Sequence, residues 1–164
     1  MSEENIINVN MAAMNAATPP RHLRTVLGSC VGVFLYEPRL KLGGLVHIML
    51  PDAPEGAAPG SFNPAKFATS GIPALIDLMQ KEGAVKKNLV CKICGGAKMF
   101  AGFSANSVVD IGSRNQTAVI DTLAKAGLKI VARDIGGTSG RKILADLETG
   151  LIKIMHFNVG EKVI

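Results

Sequence analysis

A cysteine and a histidine seventeen residues apart, Cys30 and His47, have side chains whose chemistry can go beyond packing. Cys30 follows a Gly28-Ser29 step and opens the apolar run that ends at Tyr36, and His47 lies on the next apolar run, after a turn containing Pro38. Only the thiolate of a cysteine is a strong nucleophile, and an adjacent imidazole that takes the thiol proton supplies it. Backbone N–H groups at the tight Gly28-Ser29 turn could add an oxyanion hole beside the nucleophile. If Cys30 and His47 meet, the chain is a thiol enzyme.

Whether they meet depends on hairpin register. With the turn centred between Pro38 and Arg39, Glu37 faces Leu40 and the ladder carries Cys30 directly opposite His47. Proline fits a primed two-residue turn poorly, so a four-residue loop with that same centre is expected. Opposed residues share a sheet face with Cβ atoms about 4.5 to 5.5 Å apart, and a two-residue shift leaves them diagonal on that face. A one-residue slip puts them on opposite faces. The residues alone also fit a plainer reading, a small buried thiol and a structural histidine.

Other constellations carry less. Cys91 and Cys94 have Cys-x-x-Cys spacing, but no second ligand pair follows for zinc, and in an extended strand the two thiols point to opposite faces. They read as buried small residues. His22 and His156 lack acidic or cysteine neighbours at ligand spacing, and the Gly95-Gly96 and Gly136-Gly137 pairs lack a phosphate-loop lysine or a dinucleotide-binding pattern. No metal or cofactor is expected.

The elements that must position Cys30 and His47 belong to a chain of 164 residues, long enough to bury one core without disulfides or metal. One domain spanning residues 1–164 is expected. With 48% apolar and 19% charged residues the chain is globular, and with no Trp and one Tyr its core must be aliphatic. An acidic start without a long apolar run argues against a secretory signal, and no segment has the roughly 20 apolar residues of a membrane span. Three cysteines without a pairing framework suit a reducing, cytoplasmic setting. The net charge of +5 is scattered, without the basic patch and stacking aromatics of a nucleic-acid surface.

Residues 5–11 alternate as a first strand, and the small residues up to Thr18-Pro19-Pro20 read as a loop. A strand over 21–27 leads to the hairpin of 30–50. Residues 51–63, rich in Pro and Gly, form a long loop that leaves the His47 strand and either walls a substrate cleft or is a solvated connector. Asn63-Pro64 starts a helix to about Lys81, closed by Gly83, with Gly71 and Pro73 predicting a kink or break. Strands follow over 88–94 and, briefly, 106–110; a helix runs from Ser113 or Arg114 to Lys125 and stops at Gly127. Further strands cover 128–133, 142–148 and 151–158. This order predicts an α+β fold of mostly antiparallel sheet with two helices packed on one face.

The segments Leu27-Gly28-Ser29-Cys30-Val31-Gly32-Val33 and His47-Ile48-Met49-Leu50-Pro51 resemble the CheD family, the chemoreceptor glutamine deamidases of bacterial and archaeal chemotaxis. Gly95 to Phe100, Ile111 to Asn115, and Asp134 to Gly137 with Gly140-Arg141 follow in the family's order. The resemblance implies a layered α/β/β fold and a cysteine hydrolase that converts glutamines on the cytoplasmic helices of chemoreceptors to glutamate. Cys30 and His47 match its catalytic cysteine and histidine in type and spacing. A threonine completes the family's triad, and Thr25 is the candidate by residue type, although some members have a longer glycine-rich link before the cysteine. The stretch around Met99 and Phe100 is similar to the region that in some members docks CheC, a phosphatase of the response regulator. Two other readings are a non-catalytic adaptor acting through the Met99-Phe100 loop, and a general cysteine protease or transglutaminase.

Overall fold

Two strands buried along both faces, Val31–Glu37 and Leu42–Ile48, lie at the centre of the molecule. Near-continuous apolar runs of this kind belong to strands covered on both sides. The computed structural model describes residues 2–99, 110–157 and 159–164. Its strands are β1 (Ile6–Asn8), β2 (Met14–Ala17), β3 (His22–Leu27), β4 (Val31–Glu37), β5 (Leu42–Ile48), β6 (Val90–Gly95), β7 (Ile130–Ile135), β8 (Arg141–Asp146), β9 (Ile152–His156) and β10 (Gly160–Val163). Its α-helices are α1 (Ala68–Lys81) and α2 (Ile111–Lys125).

The strands form two five-stranded sheets, ordered β1-β3-β8-β9-β10 and β2-β5-β4-β6-β7. Only the β1–β3 and β6–β7 neighbours among these are parallel. Leu23, Leu27, Phe34, Leu45, Ile143 and Ile154 fill the space between the sheets. Val33, Leu35 and Ile48, on the other side of the second sheet, pack against Ile72 and Leu75 of α1 and Leu123 of α2. The result is the layered α/β/β arrangement expected, with both helices on one face of a mostly antiparallel structure. Strand β8 faces solvent on its other side and alternates buried and half-buried residues accordingly.

The hairpin register differs from the expected one. The turn occupies Pro38 to Lys41, so Glu37 pairs with Leu42 and Gly32, not Cys30, stands opposite His47. The loop has the expected four residues but is centred one residue later, with Lys41 in the left-handed region at φ 51°. The shift is two residues, which preserves the face.

Other elements differ as well. The stretch after residue 11, expected to be loop, turns at Ala12 (φ 56°) and gives β2, which pairs with β5. Asn63 does cap a turn, accepting from the Ala65 N–H at 3.0 Å, but this is a 3-10 turn over Pro64–Lys66. The break therefore falls at Phe67, and α1 continues through Gly71 and Pro73. Gly71 serves close packing instead, since a Cβ there would lie 2.7 Å from Ile48 Cδ1. Helix α2 begins earlier than expected because Asp110, whose carboxylate accepts from the Ser113 N–H at 3.0 Å, is its N-cap. Strand β7 starts later than expected and β10 was not foreseen. The extended piece expected at 106–110 lies outside the described residues, except for Asp110.

Candidate active site

Strand parity decides which side chains gather. On β4, Gly32, Phe34 and Tyr36 face the first sheet, and Cys30, two residues before Gly32, packs on that same side. His47 stands opposite Gly32 and therefore shares that face. Cys30 and His47 are thus diagonal neighbours across β4 and β5. Thr25, buried at 5% exposure, reaches His47 from β3 in the other sheet. Thr25 and His47 come from β3 and β5 and meet where the two sheets face one another, and Cys30 lies in the bend just before β4 on the same side.

The hydrogen bonds set the protonation of the histidine. Thr25 Oγ1 lies 2.6 Å from the Val9 carbonyl and 2.8 Å from His47 Nδ1. A hydroxyl has one proton, and a carbonyl can only accept, so Thr25 donates to Val9 and must accept from His47 Nδ1–H. That tautomer leaves the lone pair on Nε2. His47 Nε2 is buried and has no hydrogen-bond partner among the described residues. The imidazole is thereby prepared to take a proton at the atom away from Thr25.

The backbone of His47 is held as firmly as its ring. Its N–H donates to the Ala13 carbonyl at 3.0 Å, and its carbonyl accepts from Ala12 at 3.1 Å. Asn63 donates in turn to the Ala12 carbonyl at 2.7 Å, so the end of the long 51–63 loop braces the turn that braces the histidine. A hollow of about 450 Å³ opens beside Thr25 and His47, bordered by Val9, Asn10, Met11 and Val26. Met11 and Val26 are both more than half exposed there.

The turn carrying Cys30 is clamped by the segment after β6. Gly28 and Cys30 accept at their carbonyls from Ala97 and Gly96, at 2.9 and 2.8 Å. Gly95, at φ 106°, passes so close that a Cβ on it would run into the Cys30 carbonyl. The Ser29 carbonyl is held by Asn115 Nδ2 at 3.0 Å. In a planar trans peptide the N–H points opposite to the carbonyl of the same unit. Anchoring the Gly28 and Ser29 carbonyls therefore aims the Ser29 and Cys30 N–H groups away from those anchors.

Cys30 and His47 are both biased toward neutrality. Burial raises the Cys30 thiol above its usual 9.0, with its own backbone N–H opposing the shift. Burial likewise pushes His47 below 6.5, with the Val9 carbonyl opposing. An ion pair preformed at rest does not fit this environment. A neutral thiol beside a neutral base does.

Met99 is 44% exposed and lies against Gly28, where a Cβ would be 3.4 Å from its side chain. Phe100 lies outside the described residues. Cys91 packs on the helix side of its sheet and Cys94 between the sheets, as the opposite-face expectation required. Burial pushes both thiols up to about 12, which makes them inert. Among the described residues, no group of three His, Cys, Asp or Glu could hold a metal ion.

Two features escaped the sequence reading. Asn115 is fully buried in step with Val119 and Leu123 on α2, and a polar residue at an apolar position of a helix was the available signal. His156 acquires an acidic neighbour only through the fold, donating from Nε2 to Asp134 at 2.8 Å. Arg141 and Lys162 join the same carboxylate at 2.5 and 2.7 Å.

This is a thiol, imidazole and hydroxyl arrangement set between the sheets of a three-layer α+β fold. Residues 49–156 match the family model described as CheD chemotactic sensory transduction. A protein of Clostridium novyi (strain NT) named probable chemoreceptor glutamine deamidase CheD is 42% identical over 96% of this chain and 97% of its own length. A protein of Desulforamulus reducens with the same name is 42% identical over 96% and 95%. A solved structure titled Bacillus licheniformis hypothetical protein YfiH is 15% identical with TM-score 0.45, covering 77% of this chain and 50% of that one. The chain belongs to the CheD family.

Proposed function

We propose that this protein is a chemoreceptor glutamine deamidase of chemotaxis, a protein-glutamine glutaminase with Cys30 as nucleophile, His47 as proton carrier and Thr25 as the group that orients His47. The observation that carries the reading is the Thr25–His47 hydrogen bond, which frees Nε2 on the same sheet face as Cys30. Family membership and the names of the full-length relatives support the substrate.

The chemistry follows from these groups. His47 Nε2 takes the Cys30 proton as sulfur attacks the carboxamide carbon of a receptor glutamine. The oxygen of the tetrahedral intermediate takes the charge and is met by backbone N–H groups at Ser29 and Cys30. The imidazolium returns its proton to the nitrogen, the C–N bond breaks, and ammonia leaves a thioester on Cys30. Water, deprotonated by His47, then cleaves the thioester and regenerates the thiol. The sum is glutamine plus water giving glutamate plus ammonia. A neutral side chain on a helical bundle becomes an anion, which alters the electrostatics between packed helices.

The proposed partners are the cytoplasmic helices of chemoreceptors, and the proposed setting is the cytoplasm. Its three free cysteines suit that setting. No helix among the described residues is long and apolar enough to cross a membrane. Docking of a CheC-type phosphatase beside Met99 belongs to the same reading. The test is ammonia release from a purified receptor cytoplasmic fragment, abolished by Cys30→Ala; activity that persists in that variant removes Cys30 from the role.

A further inference from the structure

Strands β4 and β5 part where the site begins. Their last rung is Val31 with Ile48; Cys30 and Met49, next in register, turn their backbone groups to opposite sides, so the next rung to hydrogen-bond would be Ser29 with Leu50. That rung is not made: the Leu50 N–H goes to the Lys66 carbonyl at 3.0 Å, and the Ser29 carbonyl goes to Asn115 at 3.0 Å. The fork makes room for the thiol, but it also removes the backbone pairing that would hold the nucleophile to the histidine strand.

Asn115 spans that fork. Its single Nδ2 group donates to Ser29 O at 3.0 Å and Met49 O at 2.9 Å, one carbonyl on each side. The orientation of the amide is fixed, because the flipped form would set its oxygen against two carbonyls. The residue is 0% exposed, and its Oδ1 is buried without a partner among the described residues. A leucine would fill this helix position more cheaply if packing were the only demand. The bond to Ser29 O also fixes the plane of the Ser29–Cys30 peptide, and so the direction of the Cys30 N–H.

We infer that Asn115 is the positioning residue of the catalytic fork: it replaces the missing ladder rung, sets the spacing of the Cys30 turn from the His47 strand, and aims the Cys30 N–H at the developing oxyanion. It acts through Cys30 and touches no substrate. The inference extends the deamidase reading and rests on it for the reaction, though not for the geometry of the thiol. The Cys30 N–H also holds down the pKa of its own thiol against burial, so losing the aim of that N–H should leave the thiol harder to ionise.

The test compares Asn115→Ala and Asn115→Asp with Asn88→Ala, which breaks a bond to buried Glu37 at the far end of β4. Ammonia release from a receptor cytoplasmic fragment and alkylation of Cys30 by iodoacetamide are measured against pH, well below each variant's melting temperature. Asn115→Ala should lower kcat about tenfold or more with KM changed less than about threefold, since the loss falls on the transition state. Its alkylation profile should move to higher pH. Asn115→Asp keeps the shape and, while protonated, donates to one carbonyl, so its kcat should decline as pH rises and the acid ionises. Asn88→Ala should lower the melting temperature without changing kcat or alkylation. Wild-type kcat and an unmoved alkylation profile in both Asn115 variants would overturn the inference. If the wild type releases no ammonia, the deamidase reading fails, and alkylation alone decides whether Asn115 positions Cys30.

Discussion

Thr25 Oγ1 and His47 Nδ1 lie 2.8 Å apart and join the two sheets at the site, one strand from each. The bond directs the imidazole lone pair to Nε2, because the only proton of Thr25 is already given to Val9. Replacing Thr25 by Val should therefore do two things at once. It orphans a buried carbonyl and a buried N–H, at about 1 to 3 kcal/mol in unfolding free energy, and it lets the imidazole choose the wrong tautomer. We expect kcat to fall about tenfold to a hundredfold, with Thr25→Ser retaining most activity. Nitrogen chemical shifts of His47 check the tautomer directly.

The neutral resting pair has a consequence for pH. Because burial depresses His47, its base form persists below pH 6.5, and kcat/KM should hold through 6.5 and fall only at lower pH. The same shift affects stability. The unfolded chain takes up the proton first, so stability contributed by the neutral imidazole begins to decline as pH drops through 6.5 and is fully lost below the folded value. Iodoacetamide alkylation of Cys30 should keep accelerating above pH 9.0. A rate plateau already at neutral pH would mean a thiolate–imidazolium pair at rest.

Gly95 carries the clamp on the nucleophile turn. Its φ of 106° is strained for any L side chain, and a Cβ would strike the Cys30 carbonyl. Gly95→Ala should cost at least about 1 kcal/mol of stability, measured by denaturant unfolding, and should lower kcat by displacing Cys30.

Asp134 holds a separate charge cluster. Burial pushes its carboxyl up, but the hydrogen bond from Lys162 and the charges of Arg141 and His156 outweigh this and hold it below 3.8. Its contribution to stability is thus present above pH 3.8 and is lost as pH falls through the folded value. Asp134→Asn leaves Arg141, 1% exposed, without its counter-charge, and should destabilise by about 3 to 5 kcal/mol in urea unfolding.

Much of this was legible in the sequence because strand geometry has a period of two. The shared face of Cys30 and His47 survived a register that was wrong by two residues, whereas an error of one would have destroyed it. Mostly antiparallel sheet with two helices on one face was legible from the order of elements, whereas the second sheet layer came from the family likeness. The exact turn was not, because Lys41 and Ala12 adopt left-handed conformations without a glycine to announce them. Strand β2 hides in Met-Asn-Ala-Ala, whose pairing with β5 is a tertiary effect that local propensity does not encode. Thr25 came from family likeness alone, and its bond to His47 depends on how two sheets stack. Asn115 and the Asp134–His156 pair are contacts between distant segments, which no local pattern spells out.

Cys30 is expected to deamidate receptor glutamine. The most direct measurement is mass spectrometry of a chemoreceptor co-expressed with the wild-type chain or with Cys30→Ala, which removes one half-buried sulfur and should leave the fold intact. The expected result is glutamate at specific receptor glutamines with the wild type and unmodified glutamine with the variant. Glutamate formed equally with Cys30→Ala, or by neither protein, would contradict it.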